Sequence, residues 1–388
     1  MPTECSPKSM SFARVDGRAV VADFGGGAIA SDAGALLLGA TDRAIGLVDR
    51  FAACFSDGRT PGRVTHDVAT LVGQRVFGIA LGYKDLVNHV DLRRDPALGA
   101  ALGRIEARRT GPAPLAGKST LNRLEHAPNG PDRYRRIGHD PAAIEALFVE
   151  LFLDAHKTPP ARITLDLDGE GGPWPQWGRE SRLNDDPIHG GQEGRFFHGY
   201  YDAYCYLPLY IFCGDHLLAA KLRRSNIDAS AGATEEVARI IARIRARWPR
   251  VKILLRADSG FARDALMAWC EANRVDFLFG LAHNARLVDH IHVDLAWAED
   301  EADRAGRPAR RFAEFRWRTL DSWSRKRRVV AKAEWMPGRG ERGANPRFVV
   351  TSLPAAEIGA RALYERVYCA RGDMENRIKE CQLDLFAD

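Results

Sequence analysis

Cysteine is scarce in this sequence and never clustered. The seven cysteines of the 388-residue chain lie at positions 5, 54, 205, 213, 270, 369 and 381, with no Cys-x-x-Cys pair and no adjoining histidine cluster. That spacing argues against a zinc site and a disulfide framework, and it favours a reducing compartment. The chain also lacks an apolar signal core at its N-terminus and any run of the ~18 apolar residues that a membrane span needs. We therefore predict a soluble, cytoplasmic protein with no membrane partner.

Acidic residues are sparse in one stretch. Between Arg307 and Arg342 there are 12 Lys and Arg against 4 Asp and Glu, whereas the net charge of the whole chain is only +5. The signal for binding a polyanion is therefore concentrated in this stretch. Arginine beside aromatic residues suits phosphate contact, although a solvated charged face is the default alternative. The predicted nucleic-acid contacts here are Arg325, Lys326, Arg327 and Arg328.

Glycine and proline clusters divide the chain. Residues 12–24 alternate around an Asp-Gly pair, as in a β-hairpin, and helical periodicity continues from there to about residue 126. After Pro159-Pro160 the pattern changes to three strands, a helix, a strand, a helix and a strand. We predict an α/β protein with four parts: a mostly helical domain over 1–155, a catalytic core over 160–283, a β-rich basic insertion over 284–346, and a core strand and helix over 347–388.

Two acidic positions follow apolar strands. Asp168 ends a run in which Thr164, Asp166 and Asp168 share one face, because side chains alternate along a strand. Asp258 follows the apolar run 251–257. Strand ends of an α/β sheet meet in one crevice, where converging carboxylates need cations to neutralise them. Hard divalent cations prefer oxygen ligands, so the pattern suits a metal site. The alternatives are a solvent-exposed strand cap for the first pair and a helix N-cap for Asp258.

A third acidic residue lies in a charged helical pattern near the C-terminus. Tyr368, Arg371, Glu375 and Lys379 follow one another at intervals of 3, 4 and 4, which places them on one helical face. One carboxylate with two cations and a phenol suits a metal ligand beside phosphate clamps. A salt-bridged solvent face is the common alternative. Arg256, in the strand before Asp258, joins Tyr368, Arg371 and Lys379 as a predicted phosphate contact.

One glycine-rich segment mimics a nucleotide site. Residues 111–119 end in Gly-Lys-Ser, but five residues separate the two glycines where a P-loop has four. The segment also holds two prolines, and no strand pattern precedes it. We predict no nucleotide cofactor.

Long motifs in fixed order resemble a known family. Besides the N-terminal stretches 74–102 and 119–126, the segments are 165–168, 185–194, 198–223, 254–271 and 364–380. They are similar to the DDE-type transposases of bacterial insertion sequences, and most similar to the insertion sequence 1380 family. The resemblance covers nearly the whole chain. It implies an RNase H-like core with a β-rich insertion before the final glutamate.

The resemblance also implies a function. Asp168, Asp258 and Glu375 match the catalytic acids, which would hold two Mg²⁺ ions (or Mn²⁺) about 4 Å apart for phosphoryl transfer, and Asp166 is a further possible ligand. The partner would be double-stranded DNA, both the terminal inverted repeats read by the N-terminal domain and the target. Cutting two ends together implies a homodimer on DNA.

The chain departs from the family pattern in two places. Residues 169–184 form an inserted loop after Asp168, which we expect to project from the active-site rim and to be poorly ordered without DNA. The sequence also stops 13 residues after Glu375, where the family usually continues, so a truncated copy is expected. An inactive, transposase-derived DNA-binding protein and an RNase H-like structure-selective nuclease remain the alternatives.

Overall fold

A computed structural model describes residues 9–15, 17–23, 32–104, 115–169, 196–198 and 203–384. The chain divides into two compact units, Met1–Leu147 with Glu380–Asp388, and Phe148–Lys379. No helix in these described ranges is long and apolar enough to cross a membrane.

The first unit begins with the hairpin that the Asp-Gly pair predicts. Strands β1 (Ser9–Val15) and β2 (Arg18–Asp23) pair antiparallel across Gly17, whose φ of 75° only glycine adopts readily. The elements that follow are α1 (Ala35–Ile45), α2 (Leu47–Ala52), β3 (Phe55–Asp57), α3 (Val68–Ala80), α4 (His89–Leu92), α5 (Pro96–Ala101), α6 (Lys118–Glu125) and β4 (Ile137–His139). Strands β3 and β4 pair with each other. Leu71, Leu98, Leu115 and Leu121 are fully buried in the core of this unit.

Helix α7 (Pro141–Asp154) spans the division between the two units. The sequence pattern placed the boundary after this helix, near residue 155. In the structure the division falls after Leu147, because Val149, Phe152 and Leu153 are buried in the core of the second unit.

The second unit is built on one mixed sheet of eight strands. Its elements, in chain order, are β5 (Arg162–Asp168), the separate pair β6 (Phe196–His198) and β7 (Ala203–Cys205), β8 (Leu209–Cys213), β9 (His216–Lys221), α8 (Ala233–Arg247), β10 (Lys252–Ala257), α9 (Asp264–Ala272), β11 (Asp276–Leu281), α10 (Ala285–His290), α11 (His292–Ala305), β12 (Ala309–Trp317), β13 (Arg327–Trp335) and β14 (Arg347–Thr351). The strand order is β12-β13-β14-β11-β10-β5-β8-β9. Strands β5, β10 and β11 are parallel, and the remaining pairings in this sheet are antiparallel.

Different elements pack against the two faces of this sheet. Side chains such as Leu165 of β5 and Leu255 of β10 pack in one cluster with residues of α7, α8 and α9. On the opposite face, Leu254 and Leu278 pack with Leu363 of the C-terminal helical segment. This segment consists of α12 (Ala360–Ala362), a π-helical stretch (Leu363–Tyr368), a 3₁₀ turn (Cys369–Arg371) and α13 (Gly372–Asp384). Even-numbered residues of β5 and β10 therefore face the C-terminal segment.

The region 284–346 differs from the β-rich insertion that its sequence suggests. Its two predicted strands form, as β12 and β13, but they extend the main sheet through β14. Two helices, α10 and α11, precede them. The periodicity of α11 is hard to recognise because its outer face is strongly charged and only Ala298 and Ala302 are buried.

Candidate active site

The site starts at the carboxyl ends of two neighbouring parallel strands. Strands β5 and β10 pair in a register that sets Leu167 beside Ala257, so the next residues, Asp168 and Asp258, stand at the same level. Asp168 is 5% exposed. Asp258 is half-buried and caps a 3₁₀ turn, Ser259–Phe261, by accepting a hydrogen bond from the amide of Gly260 at 2.9 Å. One oxygen of Asp258 therefore caps this turn, whereas the N-cap of helix α9 is Arg263.

The C-terminal helical segment brings Glu375 to the same face. Met374 and Ile378 of α13 bury themselves against Phe212 of β8, with Tyr210 packed beside them. Tyr210 and Phe212 stand opposite Asp168 and Asp166 in the antiparallel pairing of β8 with β5. Directly opposed residues share a face, so α13 lies over the sheet face that carries both aspartates.

Arg371 joins two of the predicted acids. Its Nη1 lies 3.4 Å from Oδ2 of Asp168, and its Nη2 donates to Oε1 of Glu375, four residues further along the helix. The side chain of Arg371 is only 15% exposed, so solvent screens these contacts weakly. Asp168, Arg371 and Glu375 thus form one continuous ion-pair chain across 207 residues of sequence, from position 168 to 375.

Asp258 and Tyr368 complete the electrostatic surroundings of Arg371. Burial lowers the pKa of Arg371, but Asp168, Glu375, Tyr368 and Asp258 act against it and the net pKa is raised. Burial is also the main cause that raises the pKa of the Tyr368 phenol, and Asp258 and Glu375 raise it further. The guanidinium of Arg371 therefore contacts Asp168 and Glu375, and Asp258 is near enough to affect its pKa. Their joint role as metal ligands stays a prediction.

Tyr368 is packed against the turn that carries Asp258. A Cβ at Gly280 of β11 would lie 2.5 Å from the Tyr368 hydroxyl, 2.9 Å from the amide nitrogen of Ser259 and 3.1 Å from the carbonyl carbon of Asp258. Only a glycine leaves room for both neighbours at that point. Gly280 was missed in the sequence, where a glycine inside an apolar strand was the one available signal of such a close approach.

Asp166 and Arg256 form a buried ion pair with each other. Nε and Nη2 of Arg256 lie 2.5 and 2.8 Å from the two carboxylate oxygens of Asp166, and both residues are buried. Arg256 also donates to the carbonyls of Val367 and Ala370. Asp166 is thus engaged through both oxygens, and Arg256 is a buried clamp between the sheet and the C-terminal segment. The predicted roles of Asp166 in metal binding and of Arg256 in DNA binding stay predictions.

The pKa of Asp166 reflects that burial. Burial raises it above the ordinary value, although Arg256 and Arg371 lower it. The direction agrees with a carboxyl group removed from water and held by one bidentate partner.

The basic cluster at 325–328 is half buried and half exposed. Arg327 is 2% exposed and bonds Glu271 at 2.9 and 3.0 Å and Asp264 at 2.6 Å. Arg328 is 7% exposed and bonds Glu314 and two backbone carbonyls. Strand alternation sends these two arginines to opposite buried faces of β13, and their predicted contact with DNA stays a prediction. Arg325 and Lys326 are exposed, and Arg325 pairs with Glu271 at 3.3 Å.

Two further predictions concern parts that the structure does not describe. The inserted loop 169–184 lies outside the described residues apart from Gly169, and so does the side chain of Lys379. Gly169 itself is enclosed: a Cβ there would lie 3.2 Å from the guanidinium of Arg223 and 3.3 Å from the carbonyl of Ala229.

The donor chemistry of the site suits a hard divalent cation. Asp168, Asp258 and Glu375 supply carboxylate oxygens, the ligands that Mg²⁺ and Mn²⁺ prefer. Within the described part of the chain, however, no three acidic, histidine or cysteine side chains are already grouped tightly enough to hold a metal. The guanidinium of Arg371 stands between Asp168 and Glu375, and its one positive charge offsets part of their negative charge. The residues fit a divalent cation once the side chain of Arg371 has moved away from Asp168 and Glu375.

Comparison with known proteins gives one extensive match. The family model for the transposase DDE domain, group 1, matches residues 12–388. No curated protein matches the sequence. Among solved structures, the cryo-EM structure of the piggyBac transposase synaptic complex with hairpin DNA is similar, with 11% identity and a TM-score of 0.38. The match covers 88% of this chain and 63% of that one.

Proposed function

The chain belongs to the family of transposase DDE domains, and from that membership we propose that it cleaves DNA at the terminal inverted repeats of an insertion sequence and transfers the strands to target DNA. The observation that carries the proposal is the placement of Asp168 beside Asp258 on the sheet and its link, through Arg371, to Glu375. Asp168 and Asp258 stand at one level on adjacent parallel strands, and Arg371 links Asp168 to Glu375. Carboxylates with an adjacent buried arginine suit the handling of a phosphodiester.

The roles of the residues follow from their contacts. Asp168, Asp258 and Glu375 would hold the divalent ions, Mg²⁺ or Mn²⁺, which when bound supply charge neutralisation and an activated oxygen nucleophile. Arg371 would leave the carboxylates and hold a non-bridging phosphate oxygen. Tyr368 keeps the turn of Asp258 in register with the C-terminal segment, and Lys379 would contact phosphate further along the helix.

The strand order supports a more specific fold. Five neighbouring strands of the sheet have the order β9-β8-β5-β10-β11. Strands β5, β10 and β11 are parallel to one another, and the pairings of β5 with β8 and of β8 with β9 are antiparallel. We interpret these five strands as an RNase H-like core, with β12, β13 and β14 added at its edge. Recognition of two inverted repeats in one reaction would require two copies of the chain on the DNA.

A cleavage assay tests the proposal. The substrate is a labelled duplex that carries the inverted repeats flanking the gene, incubated with full-length protein and Mg²⁺, Mn²⁺ or EDTA. Asp168→Asn, Asp258→Asn and Glu375→Gln should each reduce cleavage by at least about 10³-fold, since every ligand of a metal site is needed for phosphoryl transfer. The matched control is Asp289→Asn, an exposed acid on α10, which should cleave as the wild type does.

The outcomes separate the alternatives. Metal-dependent cleavage confined to the repeat ends supports a transposase, whereas equal cleavage of any branched or nicked duplex indicates a structure-selective nuclease. Repeat binding with no cleavage under any metal indicates an inactive DNA-binding derivative.

A further inference from the structure

A depression with a basic lining lies within the unit Met1–Leu147. Its volume is about 730 Å³. Every ionisable residue that lines it is an arginine, a lysine or a histidine, and no acidic residue of the described ranges contributes to the lining. These residues are Arg59, Arg63, His66, Arg93, Lys118 and Arg123. We call this depression the basic pocket.

Most of these cations are not neutralised by neighbouring acids. Arg59 is paired with Asp57 through two hydrogen bonds of 2.7 and 2.8 Å. Arg63, Arg93, Lys118 and Arg123, by contrast, form no ion pair within the described part of the chain. The Nε atom of Arg93 is buried and has no hydrogen-bond partner there. A buried guanidinium N–H without a partner is costly, so the pocket is prepared for an acceptor that the chain itself does not provide.

The pKa of His66 is affected by the positive charges around the basic pocket. Burial lowers the pKa of His66, and Arg104, Arg93 and Arg59 lower it further, against a single opposing aspartate, Asp67. A positive potential that makes a histidine harder to protonate also favours an anion at the same place.

The start of α6 adds backbone donors to the basic pocket. Gly117, the N-cap of this eight-residue helix, has no side chain with which to bond the first amides. Lys118, Ser119 and Thr120 of the first turn line the pocket. The amide of Thr120 donates to the carbonyl of Gly117 at 2.9 Å, so Lys118 and Ser119 supply the amides for an anion. These amides and the helix dipole favour negative charge here, in addition to the four side-chain cations that are unpaired within the described ranges.

Buried hydrogen bonds hold this arrangement in place. The side-chain amide of Gln74, which is fully buried, donates to the carbonyl of Ala116 at 2.8 Å and accepts from its N–H at 2.9 Å. The amide of Leu115 donates to the carbonyl of Arg93 at 2.7 Å. A Cβ at Gly117 would lie 3.3 Å from Nη1 of Arg93, so the arginine is packed against the helix start. The donors are therefore preorganised, which reduces the entropy cost of binding.

We propose that the basic pocket binds phosphodiester groups of the DNA backbone, as an anchor independent of sequence. The proposal rests on the function proposed above and assigns it a second contact region. Phosphate is the anion that matches several arginines together with a helix start. A DNA backbone fits better than a nucleotide for two reasons. Arg63, Lys118 and Arg123 are exposed at the rim, where a long polyanion reaches them, and the described lining has no Phe, Tyr or Trp on which a base could stack.

The test is a salt series with full-length protein. Binding of a 30-base-pair duplex of arbitrary sequence is measured by fluorescence anisotropy at several salt concentrations, for the wild type and the triple variant Arg63→Ala/Lys118→Ala/Arg123→Ala. Each lost phosphate contact should flatten the slope of log K against log [salt] by about 0.9, so the triple variant should flatten it by up to about 2.7 units. The matched control, Arg43→Ala/Arg94→Ala/Arg133→Ala, removes the same charge from exposed arginines of the same unit that lie outside the pocket.

Each outcome decides the proposal. A flatter slope and weaker binding in the pocket variant, with the control close to wild type, support it. Equal effects of both triple variants, or no effect of either, overturn it while repeat cleavage by the wild type keeps the transposase proposal intact. Saturable binding of tripolyphosphate or ATP that the pocket variant loses, with duplex binding unchanged, would reassign the pocket to a free phosphate compound. Failure of the wild type both to bind duplex and to cleave it would reject both proposals together.

Discussion

Nη1 of Arg371 lies 3.4 Å from Oδ2 of Asp168, and its Nη2 bonds Glu375. A protein cation therefore occupies the space between two acids that a divalent ion would share. Occupancy of one position by two cations is unfavourable, so a metal ion bound as proposed would compete with the guanidinium.

Removal of this guanidinium should make metal binding tighter. Arg371→Ala leaves Asp168 and Glu375 without their counter-charge, and we expect Mn²⁺ affinity, measured by calorimetry without DNA, to rise by about tenfold, equivalent to ~1.4 kcal/mol. Cleavage should nevertheless fall, because the phosphate contact is lost. The control is Arg377→Ala. Arg377 lies on the same helix as Arg371 and forms an exposed ion pair with Asp215. Unchanged or weaker Mn²⁺ binding in Arg371→Ala would contradict the competition.

The pair Asp166–Arg256 should be a stability element with a definite pH dependence. Arg256→Ala leaves a buried carboxyl alone, which should cost about 3–5 kcal/mol at neutral pH in urea unfolding. The pKa of Asp166 is already raised by burial and would rise further in the variant. Below the unfolded pKa both states carry the proton and the penalty vanishes. Above it only the unfolded state ionises readily, so the deficit grows as pH rises.

The double variant Asp166→Asn/Arg256→Ala checks that assignment. It removes the ionisable group, so the additional pH dependence between about pH 4.5 and 7.5 should disappear. A deficit in Arg256→Ala that is equal at both ends of this range would show that lost packing, and not the buried carboxyl, is responsible.

Gly280 should be intolerant of alanine. A new methyl group would meet the backbone of Ser259 and Asp258 as well as Tyr368, and we expect a loss of ~1–3 kcal/mol together with reduced cleavage. Gly372→Ala is a close control, because a Cβ at the first residue of α13 meets nothing within 4 Å. That change should be neutral or slightly stabilising. Equal stability and activity of the two variants would show that the close approach at Gly280 has no consequence.

Charge removal at 325–328 should separate an effect on DNA binding from an effect on fold stability. Arg325→Ala/Lys326→Ala should flatten the salt slope of duplex binding by at most about 1.8 units and leave thermal stability nearly unchanged. Arg327→Ala should instead destabilise the fold by about 3–5 kcal/mol, since Glu271 and Asp264 lose a partner that is 2% exposed. A stable Arg327→Ala variant with weaker duplex binding would identify Arg327 as a DNA contact.

Periodicity predicted the elements that position the site. The strand ending at Asp168, the helix 233–247 and the strand 276–281 correspond to β5, α8 and β11. The alternation of Asp166 and Asp168 and the helical spacing of Arg371 and Glu375 were also local, so they could be recognised without knowing the fold. The shared neighbourhood of Asp168 and Glu375 followed from the rule that strand ends form the crevice.

Long-range partners were not predictable in the same way. Arg256 and Asp166 are 90 positions apart, and Arg327 lies 56 positions from Glu271. A run of basic residues gives no sign of which members a strand will turn inward, because that depends on register with β14 and on the acids that α9 brings to one face. The cations of the basic pocket likewise come together only through the packing of α3, α4 and α6 with the loops beside them.

In the proposed function, Asp168, Asp258 and Glu375 ligate the same divalent metal ions. The most direct measurement replaces each in turn with cysteine and compares cleavage of the repeat duplex in Mg²⁺ and in Mn²⁺, with circular dichroism to verify folding. Thiolate binds Mn²⁺ better than Mg²⁺. Shared metal ligation predicts that all three cysteine variants are inactive in Mg²⁺ and regain part of their activity in Mn²⁺. A folded variant that cleaves in Mg²⁺ as the wild type does would contradict it.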